Sequence, residues 1–122
     1  IESVANGSER RIRLRLSSGG AERILLIAPA EAYLRSAGAS GFVKPIGSAD
    51  SQGQFTISCT GRSCDGMELS IVLNNAKPVV FTLVGSRNGL PRSADPLVRA
   101  RPEFARPQYT PDEIVAISHV KL

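Results

Sequence analysis

Two cysteines are the residues whose type and spacing most directly suggest chemistry. Cys59 and Cys64 lie in the segment SCTGRSCDG, with four residues, including a glycine, between them. A strand ending at the first cysteine and another starting near the second would place the two sulfurs across a hairpin mouth, which favours a disulfide. Two free thiols are the alternative. The spacing favours neither a structural zinc site, which needs four ligands, nor a redox dithiol, which usually has two intervening residues.

The remaining titratable residues do not form a recognisable catalytic set. His119 is the only histidine, and it lies in a terminal segment whose pattern predicts a strand. Asp112 and Glu113 are the only adjacent acidic pair, and neighbouring residues of a strand point to opposite faces. We therefore expect no catalytic residue, no metal site and no cofactor in this chain, and we do not expect it to be an enzyme by itself.

Three arginines are the best candidates for a binding surface. Arg11, Arg13 and Arg15 alternate with aliphatic residues in the run RRIRLRL, so they would project from one face of a strand. Their guanidinium groups could contact an anionic surface such as lipid headgroups. The structural alternative is that these charges protect an edge strand against pairing with other strands. Nucleic acid is not an expected partner, because no aromatic residues for base stacking accompany the arginines.

Length and composition predict one globular domain over residues 1–122. The chain has a net charge of +4, 42% hydrophobic residues, 5% aromatic residues and no Trp, so its core must be built from Ile, Leu and Val. It begins with Ile1 rather than Met, and we expect it to come from a longer polypeptide. A disulfide would favour the periplasmic or extracellular side of a membrane.

The sequence pattern indicates strands rather than long helices. Residues 1–9 are polar and predict an irregular segment, and residues 17–20 predict a turn that joins the flanking strands as a hairpin. Residues 30–51 are compatible with one or two short strands, around Tyr33 and Phe42, or with a short helix over residues 30–37. The clearest strand patterns cover residues 11–16, 22–28, 55–59, 67–73, 78–86 and 113–122. We therefore predict an all-β antiparallel sandwich, jelly-roll or immunoglobulin-like, with six to eight strands.

Residues 88–112 contain five of the eight prolines, which excludes a central strand or a long helix. Asp95 and Pro96 suit the N-cap and first position of a single helical turn. We expect the rest to cross the sandwich as an extended cover held by buried apolar anchors, so that Phe104→Ala would destabilise the domain. The expected anchors are Leu90, Leu97, Val98, Phe104 and Tyr109.

A series of motifs in the second half of the chain is similar to a known family. CTGRSCDG, KPVVFTL, NGLP and PLVRARPEFARPQYTPD follow one another, and the chain ends in a strand with VKL. This run resembles the C-terminal domain of bacterial dizinc aminopeptidases of metallopeptidase family 28, the relatives of aminopeptidase Y. The upstream segment RRIRLRLSSGGAERILLIAP resembles the beginning of that domain, and the similarity is weakest over residues 30–54.

The resemblance implies a context rather than an activity for this chain. In such proteins a separate N-terminal peptidase domain binds two zinc ions through His, Asp and Glu, often with membrane-spanning helices before the C-terminal domain. That zinc motif does not occur here, so no catalytic or metal residue carries over. The resemblance implies a non-catalytic accessory domain of an exported, membrane-associated zinc aminopeptidase, with the peptidase domain and the transmembrane region as partners. The alternative is an independent β-sandwich module that binds carbohydrate or anionic surfaces.

Overall fold

The computed structural model describes residues 1–39, 41–46, 53–105 and 112–122. In this part of the chain nine strands form two antiparallel sheets, which confirms the predicted all-β sandwich with one strand more than the expected maximum. In chain order the strands are β1 (Glu2–Asn6), β2 (Glu9–Arg15), β3 (Arg23–Ala28), β4 (Leu34–Ala39), β5 (Phe42–Pro45), β6 (Phe55–Thr60), β7 (Glu68–Leu73), β8 (Val80–Asn88) and β9 (Glu113–Lys121).

The strands divide into a five-stranded and a four-stranded sheet. The order in the first is β1-β2-β7-β4-β5, and the order in the second is β6-β3-β8-β9. One short helix, α1 (Asp95–Ala100), lies between β8 and β9. Single 3-10 turns cover Ala30–Ala32, Arg62–Cys64 and Arg92–Ala94.

Alternating aliphatic side chains form the core between the sheets. In β2 and β7 of one sheet, and in β3 of the other, every second residue is buried, as the period-2 pattern predicts. Phe81 in β8 is the one aromatic among the fully buried side chains of the described residues. The buried apolar residues are Ile12, Leu14, Leu16, Ile24, Leu26, Ala28, Ala32, Leu34, Cys64, Leu69, Ile71, Leu73, Val79, Phe81 and Leu122. Each of the larger side chains stabilises the fold by about 1.5–3 kcal/mol through burial.

The predicted hairpin between residues 11–16 and 22–28 is wrong. Strand β2 pairs with β1 and β7, whereas β3 pairs with β6 and β8 in the other sheet. The turn after β2, closed by the Ala21 N–H donating to the Ser18 carbonyl at 2.9 Å, therefore carries the chain from one sheet to the other. Both strands have an apolar face, and these faces are buried against each other across the core instead of lying side by side.

Two segments became strands without a strong sequence signal. The predicted irregular start contains β1, whose residues are all exposed and which is held by antiparallel pairing with β2. Residues 34–45 form the β4–β5 pair, one of the alternatives for this region, and residues 40 and 47–52 lie outside the described residues. Gly38 is required there, because a Cβ at this position would overlap the Phe42 carbonyl.

The connection between β8 and β9, which we call the β8–β9 excursion (residues 89–112), differs from the predicted cover. Its helix begins at Asp95 with Pro96 in the first turn, as expected, although Ala94 rather than Asp95 is the N-cap. The expected anchors are not buried: Leu97 is 75% and Phe104 is 89% exposed. Leu90 and Val98 are exposed as well, and Tyr109 lies outside the described residues.

The reason is the pairing of β9. Because β9 pairs directly with β8, the chain does not need to cross the sandwich between them. The excursion instead closes at its base, where the Gly89 N–H donates to the Asp112 carbonyl at 2.8 Å. Arg101 also forms an ion pair with the Asp112 carboxylate at 3.1 Å.

The two phenylalanines provide a matched test of this arrangement. Phe81→Ala should lower the free energy of unfolding by about 3–5 kcal/mol, because it removes a fully buried ring and leaves a cavity. Phe104→Ala should change it by no more than about 0.5 kcal/mol, because that ring is exposed. Urea denaturation of both variants measures the difference. A large effect of Phe104→Ala would show that the excursion packs against the sandwich.

Candidate functional site

The three predicted arginines lie together on the outer face of the five-stranded sheet. Arg11, Arg13 and Arg15 are exposed, and they alternate along β2 with residues buried in the core. Strand β2 is not an edge strand, because β1 and β7 flank it. The arginines therefore do not protect a free edge of the sheet, which was the structural alternative.

Carboxylates accompany each of these arginines. Arg11 forms an ion pair with Glu9, with 3.0 Å between Nε and Oε1. Glu2 in β1 lies directly across from Arg13, and Glu68 in β7 lies directly across from Arg15. The face is therefore mixed in charge, which weakens its attraction for an anionic partner.

An open cavity of about 490 Å³ lies on this face. Its charged lining consists of Arg13, Arg15, Glu2 and Glu68. Guanidinium groups and carboxylates in one cavity suit a small ligand carrying both charges better than a polyanion, because each ligand charge finds an opposite partner.

The predicted disulfide between Cys59 and Cys64 is present, with Cα atoms 5.7 Å apart. It does not close a hairpin as expected, because β6 and β7 belong to different sheets. Gly61 allows the chain to leave β6, since its φ of +96° is a conformation that other residues rarely adopt. The bond therefore links β6 to the 3-10 turn that leads into the other sheet, and the Cys64 side chain is buried in the core.

Asp65 connects this disulfide turn to the turn after β2. Its carboxylate accepts a hydrogen bond from the Ser18 backbone N–H at 2.8 Å. The hydrogen bonds from Ser18, together with the nearby Arg15 guanidinium, hold the pKa of Asp65 below its ordinary value. These contacts favour the ionised carboxylate. Asp65 therefore links the two turns through a hydrogen bond and is not placed to act as a proton donor.

The same end of the sandwich also holds the base of the β8–β9 excursion. The Gly61 N–H donates to the Glu22 carbonyl at 2.7 Å, and the Glu22 N–H donates to the Ser86 carbonyl at 2.8 Å. Ser86 lies near the end of β8, shortly before the excursion begins. We call this end, defined by residues 17–22, 61–66 and 86–89, the disulfide end.

Arg10, which was not among the predicted site residues, is buried at the opposite end of β2. Its guanidinium donates to the Leu122 carbonyl at 2.7 Å and to the Lys77 carbonyl at 3.0 Å. The alternating pattern could have predicted this burial, because Arg10 lies two residues before the buried Ile12 and therefore points to the same face of β2. Arg10 thus joins the five-stranded sheet to Leu122, the residue that follows β9, which is 112 positions away in the sequence.

The described residues bring together no set typical of an active site. The His119 ring is exposed in β9, with Nδ1 3.2 Å from the Thr82 hydroxyl. Within the described ranges no three His, Cys, Asp or Glu side chains lie close enough to hold a metal ion. No helix in these ranges is long and apolar enough to cross a membrane.

The contact of Asp65 with Ser18 predicts a specific pH dependence. A carboxyl whose pKa is lowered by folding stabilises the folded state above its ordinary pKa, and this contribution disappears as the pH falls through the folded value. Asp65→Asn should therefore lower the melting temperature near pH 7 and reduce the loss of stability on acidification below about pH 4. Asp95→Asn, which removes a carboxylate from the excursion, is the control. If the melting temperatures of wild type and Asp65→Asn changed in parallel with pH, the proposed role of Asp65 would be contradicted.

Comparisons with known proteins do not place this chain in a family. No family model, no curated protein and no solved structure matches it.

Proposed function

We propose that this chain is a non-catalytic accessory domain of an exported zinc aminopeptidase and that the β8–β9 excursion is where it contacts the peptidase domain. The domain would position or stabilise the catalytic unit, which would hold both zinc ions and remove amino-terminal residues from peptides. The link to a peptidase rests on the sequence motifs, and the choice of contact surface rests on the structure.

The excursion exposes apolar side chains, and this exposure is the reason we place the contact surface there. Leu97 and Phe104 are largely exposed, although the same chain buries its aliphatic residues efficiently between the sheets. Exposed apolar residues that share one segment of a small domain can form a surface that another polypeptide covers. These residues also fall within PLVRARPEFARPQYTPD, one of the motifs that resemble the aminopeptidase domain.

The surroundings of the excursion favour a contact of this kind. Its base is held by the hydrogen bond from Gly89 to Asp112 and by the ion pair of Arg101 with Asp112. It begins at the disulfide end, where the Cys59–Cys64 bond restrains the adjoining turn. An apolar surface on a restrained base loses less conformational entropy on binding than the same residues on a free chain.

The contacts of the polar side chains support a structural rather than a chemical role. Asp65 fastens two turns, Arg10 joins two sheets, and Arg101 closes the excursion. Each of these side chains is engaged in holding the fold. The disulfide supports an oxidising location, such as the periplasm or the cell exterior.

The arginine face supports a second candidate function, contact with an anionic surface. Arg11, Arg13 and Arg15 are exposed on one face of the domain, as such contact requires. The neighbouring carboxylates reduce the net positive charge of this face. We therefore prefer the accessory domain, in which this face needs no anionic partner.

The proposal predicts what the gene encodes upstream of Ile1 and how the two parts interact. The upstream reading frame should contain a peptidase domain with His, Asp and Glu zinc ligands.

Expressed separately, the two parts should associate. Calorimetric titration should show that Phe104→Asp raises the dissociation constant about tenfold or more, because that ring would be buried in the contact. Phe42→Asp, which alters an equally exposed ring in β5, is the control and should leave the affinity unchanged.

Enzyme assays of the isolated chain complete the test. The chain should release no amino acid from aminoacyl-nitroanilides and should contain no stoichiometric zinc. An upstream sequence without a peptidase domain, or hydrolysis by the chain alone, would contradict the proposed function. An association that Phe104→Asp does not weaken would contradict the proposed contact surface.

A further inference from the structure

Strand β9 presents an open, apolar edge. It forms one side of the four-stranded sheet, and among the described strands it pairs with β8 alone. It is nine residues long, contains neither Pro nor Gly, and exposes Val115 and Ile117 to 52% and 64%. Proteins usually protect such an edge with proline, internal charges or a bulge, because its free backbone groups can pair with another strand.

The hydrogen bonds at the ends of the β8–β9 pair show which backbone groups of β9 face away from β8 and have no partner among the described residues. Val79 and Leu122 exchange two backbone hydrogen bonds, and the Gly89 N–H donates to the Asp112 carbonyl. Because hydrogen-bonded pairs alternate along an antiparallel ladder, the even-numbered residues of β9 direct their N–H and C=O groups toward β8. The odd-numbered residues direct theirs toward the open edge. They are Glu113, Val115, Ile117, His119 and Lys121.

We propose that two copies of this chain pair through β9 in an antiparallel register centred on Ile117. In this register Ile117 faces its own copy, Val115 faces His119 of the second copy, and Glu113 faces Lys121 of the second copy. Every free backbone group of the strand then meets a free group of the other strand. Each facing pair exchanges two hydrogen bonds, as in an ordinary antiparallel ladder.

Charge selects this register over its neighbours. Glu113 and Lys121 are the only charged residues of β9 and lie at its two ends, so antiparallel pairing of the complete strand matches opposite charges at both ends. A shift by two residues would leave a charged end without its opposite partner. A shift by one residue would place free backbone groups against groups already bonded to β8 and would reverse the faces of the sheet.

The outer face of the four-stranded sheet continues across the same contact. Leu25, Val84 and Ile117 are direct neighbours in the registers of β3, β8 and β9, and they form an apolar row on this face. In the proposed dimer this row meets its copy at Ile117, so the exposed isoleucines cover each other within an eight-stranded sheet. Because the opposite charges at the two ends of β9 make the strand complementary to itself in antiparallel register, the partner it fits is a second copy related by twofold symmetry.

The test uses the 122-residue chain alone and therefore does not depend on the proposed function. Sedimentation equilibrium should show a reversible monomer–dimer equilibrium. Glu113→Lys and Lys121→Glu should each raise the dimer dissociation constant about tenfold or more, because each replaces two opposite-charge pairs with two like-charge pairs. The double variant carrying both reversals should return the constant to within about threefold of wild type, since the facing charges are again opposite.

Two further variants separate pairing from folding and from net charge. Lys44→Glu makes the same change in charge as Lys121→Glu, but on β5, and should leave the dimer dissociation constant unchanged. Ile117→Lys places two like charges at the twofold axis and should abolish the dimer while thermal unfolding still shows a folded domain, because that side chain is exposed. A chain that stays monomeric up to its solubility limit overturns the proposal. A dimer that the single reversals do not weaken, or that the double reversal does not restore, overturns it as well.

Discussion

The fold depends on the packing of two sheets through alternating aliphatic side chains. The chain has no Trp and few other aromatics, so it cannot fill its interior with a few large side chains. It uses Ile and Leu at every second position of β2, β3 and β7, with Phe81 as the buried ring of the described core. This packing imposes one parity on each strand, because a slip by one residue would exchange its buried and exposed faces.

The alternation of buried and exposed positions also decides which charged side chains reach the surface. On β2 it exposes Arg11, Arg13 and Arg15 beside carboxylates, and it turns Arg10 inward at the end of the strand. A buried guanidinium is unfavourable unless hydrogen bonds replace the water it loses. The carbonyls of Lys77 and Leu122 supply two such bonds, so a residue that conflicts with the apolar pattern joins the two sheets instead. Within the described structure Arg10 Nε has no hydrogen-bond partner in the protein.

Both proposed contacts use parts of the molecule that the core leaves uncovered. The excursion begins at the disulfide end, where Asp65 and the Cys59–Cys64 bond hold the adjoining turns. The open edge of β9 exposes backbone groups that its own sheet does not use. A small sandwich has little surplus stability, so apolar residues and free edges outside its core are more readily explained by a partner than by folding.

Much of the local structure could be predicted from the sequence alone. Alternation and runs of apolar, β-branched residues identified six of the nine described strands. Alternation also predicted the outward direction of Arg11, Arg13 and Arg15, because side-chain direction in a strand depends only on parity. The spacing of Cys59 and Cys64 indicated their disulfide, because a short loop keeps the two residues close.

The arrangement of these elements was decided by the tertiary structure. The choice of β1 and β7 rather than β3 as partners of β2, the burial of Arg10 beside Leu122, and the exposure of Phe104 all depend on residues distant in sequence. A linear pattern shows which face of a strand is apolar, but it does not show what covers that face. The final arrangement follows from burying all the apolar faces at once while satisfying the backbone hydrogen bonds, and that condition applies to the whole chain rather than to any segment.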